Sequence, residues 1–195
     1  MISALRPQIT RPQTIILGLL GLLMAATRYH HFGTALHLPD ASLAVFFAAG
    51  FYLPQRKLLP LLLAEAALID WVAITIGGTS DWCVSPAYVF LIPTYASLWF
   101  GGRWYANRHC LSWSSAIPLV LVLTLAASAA FLISNGSFYL LSGRFPDLSW
   151  VQYGERVARY YGSYVGNAYA YVSFLAFMHV VVTSVARSSG VRNER

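Results

Sequence analysis

Apolar residues run almost unbroken through six stretches of this chain, roughly 14–27, 41–53, 58–77, 87–100, 115–134 and 161–186. The runs are continuous rather than alternating, and longer than the ~9–11 residues of a membrane barrel strand, so helices are predicted. Six helices of about 20 residues would use most of a 195-residue chain. Only 10% of the residues are charged, where a soluble domain carries about 25%. A bilayer removes the need for a charged surface. The expected fold is therefore an all-α integral membrane protein, one domain over 1–195 with six transmembrane helices. No soluble catalytic domain fits in the remainder, so any chemistry takes place in or on the membrane domain.

The formal net charge is +6. With the basic residues flanking apolar runs, that charge reads as topology rather than as a nucleic-acid surface. The N-terminal segment, the connections 2–3 and 4–5 and the C-terminal segment hold Arg6, Arg11, Arg56, Lys57, Arg103, Arg108, Arg187, Arg192 and Arg195. The other side holds Arg28, Arg144, Arg156 and Arg159, with Asp40, Asp81, Asp147 and Glu155. The positive-inside rule then puts both termini in the cytoplasm. The first apolar run, preceded by Arg6 and Arg11, is read as a retained signal anchor. Cys83 faces outward with His30, His31 and a long aromatic loop over 136–160, a candidate lid. Cys110 faces inward, so the two cysteines are not expected to pair.

Several residues are hard to explain as packing. Asp70 lies inside the third run, 13 residues after Lys57, about 20 Å along a helix and so in its outer half. A charge there is costly and faces either a cavity or a partner helix. Glu65 is about 140° round the helix from Asp70, so a paired-carboxylate acid–base site is not expected. Cys83 follows Asp81 and Trp82 in the outer connection, with no second cysteine to make a CxxC pair. It is an inert loop residue, a nucleophile or a soft metal ligand. Tyr88 follows five residues later. Arg156 and Arg159 could clamp an oxygen ligand or simply be solvated, and His31 could bind a ligand or sit among headgroups. Tyr160, Tyr164, Asn167 and Tyr171 share a helical face that lines a pocket or forms an interfacial belt. Gly18, Gly21 and Ala25 form a small-residue stripe for helix packing or a partner.

Six short spans in about 195 residues resemble the substrate-binding S-components of energy-coupling-factor (ECF) vitamin transporters. The segments Leu38-Pro39-Asp40-Ala41-Ser42-Leu43-Ala44-Val45-Phe46-Phe47 and Asp81-Trp82-Cys83-Val84-Ser85-Pro86 resemble the BtuM group of bacterial vitamin B12 transporters. The resemblance implies uptake of cobalamin and related corrinoids across the bacterial inner membrane, from a site facing the periplasm. It implies that Cys83 is the axial ligand to cobalt, with His31, Asp70, Tyr88 and Arg156 around the corrin. It also implies possible decyanation of cyanocobalamin through Cys83. The partner is the corrinoid within the lipid bilayer, with an ECF module or none; the stripe in the first span departs from the alanine-rich docking motif and favours none. Two alternatives stand beside this reading. One is a membrane-embedded cysteine-nucleophile enzyme, an acyltransferase or thiol oxidoreductase, for which His31 is the available base. The other is a membrane sensor domain, which would need an output module.

The charge asymmetry makes a direct prediction. A membrane-impermeant maleimide applied to intact cells should label Cys83 and spare Cys110. Labelling of Cys110 alone would invert the topology.

Overall fold

The computed structural model describes residues 9–29 and 38–193, with side chains to residue 188. Six helices carry the fold: α1 (Arg11–Arg28), α2 (Ser42–Tyr52), α3 (Leu58–Thr75), α4 (Leu91–Ala106), α5 (Ala116–Leu141) and α6 (Trp150–Asn193). Short 3₁₀ segments, Pro86–Phe90 and Trp113–Ser115, lead into α4 and α5. No strand occurs among the described residues. His30 and His31 lie outside them.

The axis of the bundle is α2. Every residue from Ser42 to Gly50 is buried, as expected of a helix apolar all round. Its 11 residues rise only about 16 Å, against a hydrocarbon core of ~30 Å. With neighbours on all sides it has no need to match the lipid thickness. Closest to it is α4. A Cβ at Gly50 would overlap the Trp99 carbonyl, and a Cβ at Gly102 would overlap that of Phe47. The two glycines let the backbones meet, and Phe46 stacks on Tyr95 with ring centroids 4.3 Å apart. On the other face of α4, Gly101 packs on Ala126 of α5. Hydroxyl pairs then tie α5 to α6, Ser128 to Tyr161 at 2.8 Å and Thr124 to Tyr169 at 2.5 Å. Gly21 of α1 leaves room for the Glu65 carboxylate of α3, whose Oε1 would lie 2.9 Å from an added Cβ.

The outside of this packing is apolar. Leu22, Leu125, Phe174 and Phe177 are each at least 60% exposed, which suits lipid and not water. Three helical stretches are long and apolar enough to cross a membrane: α3, Trp113–Leu141, and Trp150–Ser188 within α6. The expected number of helices is present, and the length criterion for a span is met by these three.

The expected loop over 136–160 is corrected. α5 runs on to Leu141 and α6 starts at Trp150, leaving only 142–149 between them. A 44-residue helix is about 66 Å long, more than a bilayer, so its ends project beyond the apolar run. Polar and aromatic residues outside the lipid are compatible with helix. Arg156 and Arg159 therefore sit on α6 rather than in a loop.

The glycine contact between α2 and α4 is testable. Gly102→Ala should lower stability by roughly 1–3 kcal/mol or more, the usual cost of overpacking. Gly18→Ala, where an added Cβ meets nothing within 4 Å, should be near neutral. Thermal unfolding of the two variants in detergent checks the contrast.

Candidate functional site

A cavity of about 680 Å³ opens at the end of the bundle where α1, α3 and α5 finish and α2 and α6 begin. Its volume falls in the range of small-molecule sites, about 300–1,000 Å³. Its floor is built on Arg28, the last residue of α1. Arg28 Nε donates to Asp70 Oδ1 at 2.6 Å, and Nη2 donates to Asp70 Oδ2 at 2.6 Å. Nη1 donates to the Tyr95 hydroxyl at 2.6 Å, to Ser42 Oγ at 3.1 Å and to Asp40 Oδ2 at 3.3 Å. The Tyr88 hydroxyl donates to Asp70 Oδ2 at 2.7 Å. Asp40 in turn accepts from the Ser42 backbone N–H and hydroxyl, which fixes the start of α2. One cation thus faces two carboxylates, and the floor carries a formal charge of about −1.

Cys83 stands in the wall of this cavity, in the connection between α3 and the segment Pro86–Phe90. The connection is shaped by a turn in which the Val84 N–H donates to the Asp81 carbonyl at 2.8 Å. The Arg144 guanidinium lies 4.3 Å from the centre of the Trp82 ring, pinning the turn to the α5–α6 connection. The thiol is accessible. Lost hydration and the Asp70 carboxylate push its pKa up, while Arg28 and Arg144 act weakly in the other direction. Asp70 is therefore the carboxylate that holds the proton on Cys83, whereas sequence proximity points to Asp81.

Arg156 of α6 closes the far side. Its guanidinium lies 4.6 Å from the Phe145 ring, 5.3 Å from Tyr160 and 6.0 Å from Phe138. Tyr160 and Tyr164 line the cavity beside it. Tyr171 does not; its hydroxyl donates to the Pro39 carbonyl at 2.7 Å. Four sequence-predicted residues, Asp70, Cys83, Tyr88 and Arg156, line one cavity. The fifth, His31, lies outside the described residues. Among the described residues no group of three or more His, Cys, Asp or Glu side chains is placed to hold a metal ion. A metal bound here would have to bring most of its own ligands.

Sequence reasoning missed Arg28, Asp40 and Tyr95. Arg28 and Asp40 count only as outer-loop charges in a topology argument. The signal was Asp70 itself, since a carboxylate within a span requires a partner cation, and Arg28 ends a span on the same side.

The opposite end of the bundle holds a second, mainly apolar cavity of about 480 Å³ lined by Tyr52, Tyr105, His109, Cys110 and His179 among others. The Tyr105 hydroxyl donates to the Ser115 carbonyl at 3.1 Å, so His109 Nδ1, 3.0 Å away, is the donor to that hydroxyl. Burial lowers the His109 pKa and keeps the ring neutral. Contacts with Ser115 and Ser114 lower the pKa of the exposed Cys110 thiol. Cys83 and Cys110 line cavities at opposite ends and do not pair. No family model matches the chain, and no curated protein matches it.

The ion network sets a stability prediction. Arg28→Met would leave Asp70 and Asp40 without their buried cation and should cost about 3–5 kcal/mol. Asp70→Asn keeps an acceptor for Tyr88 and should cost less. The order of their unfolding temperatures in detergent checks this.

Proposed function

We propose that the chain binds vitamin B12 and related corrinoids at the outer cavity and takes them up across a bacterial inner membrane. The observation that carries the reading is the convergence of Cys83, Asp70, Tyr88 and Arg156 on one cavity. A corrin needs a broad, partly aromatic cup, polar groups for its amide-bearing edge and one soft axial donor. Phe138, Phe145, Tyr160 and Tyr164 supply aromatic surface, and Cys83 supplies the sulfur. The negative floor formed by Arg28, Asp40 and Asp70 suits a cationic cobalt centre. Cobalt held in a macrocycle arrives with most of its coordination complete, which fits a wall offering one thiol.

The same geometry disfavours a cysteine enzyme. A nucleophilic cysteine is prepared by a neighbouring base or cation that lowers its pKa. At Cys83 the shift runs upward, with Asp70 opposing ionisation. Coordination by a metal overrides this, because binding itself removes the proton. Thiolate is a strong donor to Co(III) and weakens the bond on the opposite face. Cys83 would take the position of the lower base, and cyanide would leave with its bonding pair and be replaced by water, a ligand exchange with no electron transferred.

In this reading all six helices traverse the membrane region around the buried α2, both termini are cytoplasmic and the outer cavity faces the periplasm. The chain works without an ECF module. Its small-residue stripe is partly consumed internally, since Gly21 packs against Glu65.

The test is the visible spectrum of purified protein with cobalamin. The wild type should show a sulfur-ligated spectrum that Cys83→Ala loses together with any decyanation, while corrin binding persists. Burial and Asp70 push the thiol pKa up, so at neutral pH the thiol is protonated and each sulfur bond releases one proton. The apparent affinity of the sulfur-bound form should rise about tenfold per pH unit through neutrality, and Cys83→Ala should show no such slope. An unchanged spectrum in Cys83→Ala would refute the ligand assignment.

A further inference from the structure

An ionised side chain is costly within a bilayer, so a carboxyl group inside a span is paired with a cation, hydrated in a cavity or held neutral. Asp40 and Asp70 take the first course, on Arg28. Glu65 does not. It lies on α3 about 12 Å from Lys57 at one end and about 15 Å from Thr75 at the other, near the middle of a helix long and apolar enough to span. Leu61 and Leu68, one turn away on either side of the same face, are 52% and 58% exposed, which suits lipid. Glu65 lines neither cavity. It is partly buried, with its carboxyl group against Gly21 of α1. Among the described residues it makes no hydrogen bond, and both ion pairs belong to Arg28.

The helices packed on α3 are α1, α2 and α4, and none of their charged or titratable groups pairs with Glu65. On α1, Arg11 begins the helix and Arg28 ends it, with none between. On α2 the group is Tyr52, which bonds His179. On α4, Tyr95 bonds Arg28, Tyr105 bonds Ser115, and Arg103 stands near the Ala106 end. On α3 itself, Asp70 is held by Arg28 and Tyr88. With no cation to answer it, the neutral acid is the form this position holds at least cost.

We propose that Glu65 is a proton-binding site that couples corrinoid uptake to the entry of a proton. Protonated, it lets α1 and α3 pack across Gly21 as they do here. Ionised, it needs water, and the seam has to open toward the cytoplasm to supply it. The proton passes from external water to a Glu65 carboxylate oxygen and from there to internal water, and no bond to the cargo is made. Arg28 and Asp70 join the same two helices at the cavity floor, seven residues beyond Gly21 and five beyond Glu65. A movement of α1 against α3 at the floor is therefore felt at the proton site. The proposal rests on the uptake reading and adds an energy source to it.

Two measurements on the full-length protein in liposomes test this. Dicyclohexylcarbodiimide, an apolar reagent that adds to protonated carboxyl groups, should modify Glu65 at neutral pH, as read by peptide mass, and a water-soluble carbodiimide should not. Unmodified Glu65 overturns the proposal and leaves the uptake reading standing. Cobalamin accumulation is then followed with the membrane potential clamped. For the wild type, the inside-to-outside ratio should rise toward about tenfold per pH unit of inward proton gradient, the limit for one proton per cargo. Glu65→Gln has the shape of the neutral acid. It should bind cobalamin with an unchanged dissociation constant and Cys83-dependent spectrum, while the gradient loses its effect. Should Glu65→Gln fail to insert, Glu65→Ala is measured instead, with the same loss expected. A variant that still responds to the gradient overturns the proposal, as does a wild type that takes up cobalamin without responding to it. A wild type that takes up none overturns the proposal and the uptake reading together.

Discussion

A guanidinium buried where lipid would otherwise surround it must be fully answered, and Arg28 is only 8% exposed. Its donors reach Asp70 on α3, Ser42 on α2, Tyr95 on α4 and Asp40 just before α2. The adjoining ends of four helices are therefore joined through one side chain. The desolvation cost of such a cluster is high, so it is poor evidence for net stability. Its value is geometric. Asp70 is gripped through both carboxylate oxygens, which leaves Tyr88 to complete its acceptors. The polar floor of the cavity is held before a ligand arrives, so binding need not pay to order it.

That floor also sets the chemistry of the thiol above it. Asp70 discourages ionisation of Cys83, and Arg28 offsets only part of the effect. A free thiolate would be a liability in an accessible position, open to oxidation and alkylation. A thiol held in its protonated form avoids that. The cationic side chains Arg144 and Arg156 stand instead over aromatic rings.

How much of this was legible in the sequence follows from what each signal measures. Apolar continuity located every helix, because lipid-facing and core-facing residues are both apolar. It could not find the true ends of α5 and α6, since helix continues past the lipid boundary where hydropathy falls. It could not show that α2 is enclosed by protein on all sides, because burial in protein and burial in lipid read alike. Asp70, Cys83, Tyr88 and Arg156 were visible as chemistry out of place or through family resemblance. Arg28 was hidden because a basic residue at a span end serves equally as a topology marker.

The short central helix explains why the molecule has a cavity at each end. α2 rises about 16 Å within neighbours of up to about 66 Å. Longer helices around a shorter one must leave space above and below it. One space is edged by Asp40 at the start of α2, and the other by Phe47, Phe51 and Tyr52 toward its end. The two cavities share no lining residue, and between them the α2 side chains are packed. Joining the two cavities would require helices to move against one another. The α2–α4 seam is closed by backbone contact at Gly50 and Gly102. The α5–α6 seam is tied by two hydroxyl pairs. Parting α5 from α6 forfeits those bonds to lipid, which cannot replace them.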